Sequence, residues 1–126
     1  MTCVLDASAL LALLHDEPGA QRVEAALEGA LMCTVNWSEV VQKSIARGAN
    51  CDGMGGELAE AGLRFVPFTE HQAELAGRLW ADTRHLGLAL ADRACLALAR
   101  DRSLPVMTSD RAWEALNIGV SVDLIR

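Results

Sequence analysis

The stretch "TCVLDASALLALLHDEPG" (residues 2–19) carries a carboxylate into the most apolar part of the chain. Asp6 stands between Val4-Leu5 and the run from Ala7 to Leu14. Ionised side chains are rarely buried alone, because removing the charge from water is costly. The segment TCVL reads as a short buried strand. Ala7 to Leu14, rich in Ala and Leu and free of breakers, reads as a helix. The sequence "HDEPG" (15–19) then ends it: the residue before a proline leaves helical space, and Gly19 favours a turn. A strand that delivers an aspartate at its carboxyl end and passes straight into a helix is the opening unit of an α/β fold.

The rest of the chain repeats that alternation. Residues 19–28 read as helix, with Val23, Ala26 and Leu27 at helical spacing. "ALMCTV" (30–35) reads as a second strand, and Asn36 or Ser38 could cap a helix that stops at Gly48. "ANCDGMGG" (49–56) reads as a loop before a short helix through Ala61. "LRFVPF" (63–68) is a third expected strand. Thr69 and Glu70 start a helix to about His85, and "LALADRACLALARD" (88–101) is helical. "LPVMT" (104–108) is a fourth strand, Asp110 begins a short helix through Leu116, and "GVSVDLI" (119–125) is a last strand. Strands alternating with helices imply a parallel sheet covered on both faces. The expected organisation is a single domain over residues 1–126, with no internal repeat, low-complexity tract or linker.

Composition narrows the class. Apolar residues make up 52 %, which argues against disorder. No apolar run approaches the ~18 residues of a membrane span, and the first residues lack the basic region of a signal peptide. None of the four cysteines, Cys3, Cys33, Cys51 and Cys95, is paired as C-x-x-C. Buried reduced thiols and a cytoplasmic setting are therefore expected, and a zinc site is not. The net charge of −6 argues against a broad basic surface that holds nucleic acid by charge alone. Only Lys43 is a lysine; the other basic residues are arginines, whose forks suit carboxylate and phosphate.

Most of the 17 acids fall on polar helix faces or in turns, Asp16 and Glu17 included. Four do not. Asp6 follows TCVL, Glu39 follows ALMCTV, Asp110 follows LPVMT, and Asp92 is embedded in "LALADRACLALA". Carboxyl ends of parallel strands share one edge, and ligands bind there. Each acid alone could be a helix cap or half of an ion pair, Asp92 with Arg93 or Arg111 for example. Brought together, carboxylates raise each other's pKa, and a divalent cation removes the repulsion. Oxygen donors without nearby His or Cys favour Mg²⁺ or Mn²⁺. Such a site suits phosphodiester hydrolysis. Lys43 and Arg47 follow Glu39 by one and two helical turns and could meet an RNA phosphate; a solvated face is the equal alternative. The three tryptophans fit packing, with Trp37 also a candidate base-stacking surface beside Glu39.

The segments "VLDASALLALLHDEPG", "TVNWSEVV", "GLALADRACLALA" and "LPVMTSDRAW", in this order through residues 3–113, resemble the PIN-domain ribonucleases, specifically the VapC-type toxins of toxin–antitoxin modules. The resemblance implies a three-layer α/β/α sandwich with a central parallel sheet and a Mg²⁺- or Mn²⁺-dependent endoribonuclease. By motif match the catalytic and metal-holding acids are Asp6, Glu39, Asp92 and Asp110. Asp6, Asp92 and Asp110 are the implied direct ligands, with Glu39 direct or through water. Ser8 and Thr108 stand where the family has supporting hydroxyls; plain capping of a helix start is the alternative. The implied partners are an RNA substrate, a cognate VapB-type antitoxin and a second copy in a homodimer. Many relatives carry Ser or Gly just before the third acid, where this chain has Ala89 and Ala91.

Two other readings stay open from residues alone. A haloacid-dehalogenase-like phosphotransferase would use Asp6 as nucleophile, but it wants a second Asp where this chain has Ser8. A non-catalytic PIN-like binding module would keep the acids for structure.

Overall fold

The computed structural model describes residues 2–126. Strand β1 (Val4–Leu5) leads into helix α1 (Ala7–Leu14), and α2 (Ala20–Ala26) follows the turn at Pro18-Gly19. Next come β2 (Leu31–Cys33), α3 (Thr34–Ala46), α4 (Met54–Glu60) and β3 (Arg64–Val66). The second half holds α5 (Glu70–Arg78), α6 (Trp80–Thr83), a 3-10 turn (Arg84–Leu86) and α7 (Leu90–Arg102). It closes with β4 (Val106–Thr108), a 3-10 turn (Arg111–Ala115) and β5 (Val122–Leu124).

The sheet is parallel throughout, in the order β3-β2-β1-β4-β5. Val4 pairs with Leu31 on one side and with Val106 on the other. The order reverses at β1: the chain first winds outward through β2 and β3, then returns to place β4 against the other side of β1. Crossovers leave β1 and β4 in opposite directions, so a crevice opens at their carboxyl ends. Asp6 comes directly after β1, and Thr108 is the last residue of β4.

Alternation along the strands builds a separate core on each face. Leu5, Met32 and Met107 point toward α1, α2, α3 and α4, where they meet Leu10, Val23, Val40 and Leu58. Val4, Leu31, Cys33 and Val106 point toward α5 and α7, against Ala76, Leu79, Leu96 and Trp113. The result is the expected three-layer α/β/α sandwich. Helix α3 packs against both α1 and α7, and so links the two helical layers. Among the described residues, no helix is long and apolar enough to cross a membrane.

Three elements depart from the sequence reading. Helix α4 starts at Met54, inside the stretch 49–56 expected to be a loop, with Gly53 before it at φ +77°. Thr34 and Val35 belong to α3 rather than to β2, and the expected caps Asn36 and Ser38 lie inside the helix. Local β preference loses to tertiary partners here: the Thr34 hydroxyl accepts the Phe68 N–H (3.0 Å), and buried Asn36 donates its amide to the Ala91 carbonyl (2.9 Å). The helix expected from Thr69 to His85 does start at the Thr69 cap, which accepts the Gln72 N–H. It then breaks into α5, α6 and the 3-10 turn. Buried Thr83 donates its hydroxyl back to the Leu79 carbonyl (2.8 Å), an arrangement that bends helices.

The thiols behave as expected: all four are unpaired, and only Cys51 is partly exposed. Trp37 packs against Phe65 with ring centroids 4.9 Å apart and closely approaches Gly55, so it serves the core beneath α4.

Candidate functional site

Asp6 is the best-anchored acid in the molecule. It is 5 % exposed and caps α1: its Oδ1 accepts the Ala9 N–H (2.8 Å) and the Ser8 hydroxyl (2.7 Å). Its Oδ2 accepts the Thr108 hydroxyl (2.5 Å) from the end of β4. Both hydroxyls work twice. Thr108 Oγ1 accepts the Asp110 N–H (3.0 Å), and Ser8 Oγ accepts the Ser109 N–H (2.9 Å). The carboxyl ends of β1 and β4 are thereby held together around one carboxylate. Ser8 and Thr108 thus do more than cap a helix start: they join the first and fourth acids.

Asp92 reaches the same edge from the first turn of α7. Its Oδ2 accepts the Ala89 N–H (3.0 Å), half of a capping box. Ala89 has no side-chain oxygen to return the bond. The ion pair with Arg93 or Arg111 does not form among the described residues; Arg93 instead donates to the Ala76 carbonyl (3.0 Å). Asp110 is exposed, and its Oδ1 caps the following 3-10 turn through the Ala112 N–H (3.0 Å). Glu39 lies on α3, with Oε2 3.5 Å from Lys43 Nζ one turn on.

Electrostatics tie the four together. Burial raises the Asp6 pKa to about 6; bonds from Thr108, Ser8 and Ala9 hold it down, and the charge of Asp92 pushes it up again. Asp92 is also raised, chiefly by burial; the Ala89 N–H opposes this, the charges of Glu39 and Asp110 add to it, and Lys43 relieves it. Asp92 is therefore the acid through which the other three that the sequence singled out interact: it acts on Asp6, and Glu39 and Asp110 act on it. The four stop short of a closed cage: among the described residues no three His, Cys, Asp or Glu side chains form a ready coordination group.

The donor set nevertheless fits a hard divalent cation. It is all oxygen, two of the carboxyls are driven toward protonation, and each aspartate leaves one oxygen with no backbone partner. A cation in the crevice would be held by Asp6, Asp92 and Asp110, with Glu39 beside them. Next to the acids lies a cleft of about 390 Å³ between α1 and α3. Ser8, Ser109, Lys43, Arg47, Glu17 and Arg126 line it. Sequence reasoning reached Lys43 and Arg47, but it left Glu17 in a solvated turn and passed over Arg126. No local signal could have paired residues from opposite ends of the chain.

The family model for the PIN domain matches residues 3–118. The chain belongs to the PIN domain family. PIN domains are generally nucleases that use divalent metal ions. Among solved structures, this PIN domain is similar to a toxin–antitoxin complex from Klebsiella pneumoniae, with a TM-score of 0.74 and 19% identity over 98% of each chain. It is similar to FitAcB from Neisseria gonorrhoeae, with a TM-score of 0.74 and 20% identity over 99% of this chain and 98% of that one. It is also similar to VapC20 from Mycobacterium tuberculosis, a sarcin–ricin loop cleaving toxin, with a TM-score of 0.69 and 14% identity over 96% of this chain and 99% of that one. At these identities the likeness is one of fold. A comparison of the sequence with curated proteins gave no match.

Proposed function

We propose that this PIN domain is a metal-dependent endoribonuclease, the toxin of a type II toxin–antitoxin pair, held in check by a small VapB-type antitoxin. What supports the reading is that Asp6 and Asp110 follow β1 and β4 at the crevice while Asp92, opening α7, feels the charges of Glu39 and Asp110 and acts on Asp6. The fold-level likeness to toxin–antitoxin proteins supports the toxin assignment. A cytoplasmic setting and a homodimer are part of the same proposal.

Asp6, Asp92 and Asp110 would hold a Mg²⁺ or Mn²⁺ ion, which would supply neutralising charge for the phosphoryl oxygens and a lowered pKa for the attacking water. The chain's own residues do the rest. Thr108, Ser8 and Ala9 fix the rotation of the Asp6 carboxylate, so its free lone pair points one way. The Ala89 N–H does the same for Asp92, and the Ala112 N–H for Asp110. Glu39, which stands beside the three aspartates and, among the described residues, is engaged only by Lys43, is suited to orient the attacking water and take its proton. Such preorganisation lets the site meet developing charge without rearranging.

No observation favours Asp6 as a phosphotransferase nucleophile. It is buried, three donors already engage it, and Ser8 serves it as one of them.

Purified protein is expected to cut RNA with Mn²⁺ or Mg²⁺, to stop with chelator, and to lose about a hundred-fold or more in rate as Asp92→Asn. Induced expression is expected to arrest growth, with rescue by the same substitution or by the cognate antitoxin. Metal-independent cleavage, or undiminished cleavage by Asp92→Asn, would sink the assignment. Absence of metal affinity and toxicity together would leave a non-catalytic binding module.

A further inference from the structure

We propose that the cleft between α1 and α3 receives the RNA phosphate next to the one being cut, and that the Glu17 carboxylate occupies that place until RNA displaces it. This rests on the endoribonuclease reading and adds to it a substrate subsite with a built-in competitor.

The chain is acidic overall, with 11 basic residues against 17 acidic ones. Three of the basic residues nonetheless meet in this one cleft: Lys43 from α3, Arg47 at its C-cap, and Arg126 beyond β5. The cleft begins at Ser8 and Ser109, which belong to the hydrogen-bond network around Asp6. A strand whose scissile phosphate sits at the acids therefore runs directly into it. Lys43 marks the junction, since its ammonium is tied to Glu39 at 3.5 Å.

Glu17 stands in for a phosphate. Its Oε2 is 3.7 Å from Arg47 Nη1, and its Oε1 is 3.7 Å from Arg126 Nη1. One carboxylate shared between two guanidinium groups presents two anionic oxygens, as a phosphodiester does. Both contacts are long, and both arginines are well exposed, so each pair contributes little to stability and exchanges easily. Arg126 keeps its position when Glu17 leaves, because its Nη1 also donates to the Pro18 carbonyl (2.9 Å). An RNA phosphate gains the Arg126 fork already in place and the Arg47 fork that Glu17 releases, and Glu17 sets the threshold for its entry.

The test uses the full chain as Asp92→Asn with Mg²⁺, so that cleavage does not consume the probe. The probe is a labelled single-stranded oligouridylate, followed by fluorescence anisotropy across a salt series. Arg47→Gln and Arg126→Gln are each expected to weaken binding about three-fold and to reduce the slope of log affinity against log salt by ~0.7. Glu17→Gln is expected to tighten binding about three-fold. In the chain with Asp92 intact, Arg126→Gln should raise KM and leave kcat within about two-fold, since it does not touch the reacting atoms. Cleavage that persists while all three variants keep the parent affinity and slope would overturn the subsite and spare the nuclease assignment. Salt slopes that fall as expected in a chain that never cleaves would support the subsite and sink the nuclease assignment. If Arg126→Gln leaves RNA binding unchanged but weakens antitoxin binding, the cleft holds an acidic peptide and the proposal is overturned.

Discussion

Each of the three aspartates commits one oxygen to a backbone N–H and leaves the other without a backbone partner. Capping and metal binding therefore need not compete: the cap fixes the carboxylate that the cation would use. Asp6 shows the tension most clearly. Its pKa is raised to about 6 from an ordinary value of 3.8, so the native state holds a proton that the unfolded chain releases. This group's contribution is fully present below about pH 4 and is lost as pH rises through about 6, by up to about 3 kcal/mol. Urea unfolding of metal-free protein between pH 4 and 7 should show this loss, and Mg²⁺ should offset it at the upper end. A pH-independent difference between the wild type and Asp6→Asn would refute it. Cleavage at fixed Mn²⁺ should fall as pH drops through about 6, and more Mn²⁺ should move that fall to lower pH, because proton and cation compete. Thr108→Val removes a donor from buried Asp6 and an acceptor from the Asp110 N–H. It should cost about 1–3 kcal/mol and weaken Mn²⁺ binding about ten-fold, with Thr108→Ser restoring most of both.

At the scale of elements, α7 begins with an incomplete cap. Asp92 bonds the Ala89 N–H, but Ala89 returns nothing. Ala89→Ser should raise stability by about 0.5–1 kcal/mol in urea unfolding without moving Asp92. The turn between α1 and α2 offers the opposite case. Gly19 has φ +99°, and a Cβ there would lie 2.7 Å from the Ile125 carbonyl oxygen. Gly19→Ala should therefore cost more than about 1 kcal/mol and loosen the neighbouring Glu17–Arg126 contact. The element boundaries that sequence could not foresee have the same kind of cause. Thr34 starts α3 because Phe68 needs its hydroxyl, and the helix after Thr69 breaks where Thr83 bonds Leu79. Both depend on partners that propensity cannot see. Ala7 to Leu14, by contrast, was legible in full: no breaker interrupts it, and Pro18-Gly19 follows.

For the whole molecule, strand–helix alternation was enough to imply a parallel sheet, and the strand order supplied what alternation cannot. Placing β1 between β2 and β4 creates the crevice, and it brings residues a hundred positions apart, Ser8 and Thr108, within 3.3 Å. Asp6, Asp92 and Asp110 stood out in the sequence because each follows a strand or opens a helix in an apolar setting, whereas Glu39, expected just past β2, lies in the second turn of α3. The Glu17–Arg126 side of the cleft did not stand out, because both lie in ordinary polar surroundings and meet only through the fold. The central claim is that the β1/β4 crevice binds a divalent cation through these acids. Titration of the purified chain with Mn²⁺, followed by the loss of free Mn²⁺ signal in electron paramagnetic resonance, tests it most directly. The expected result is saturable binding that disappears in both Asp6→Asn and Asp92→Asn while the variants stay folded. Binding that survives both substitutions, or no binding by the wild type, would contradict it.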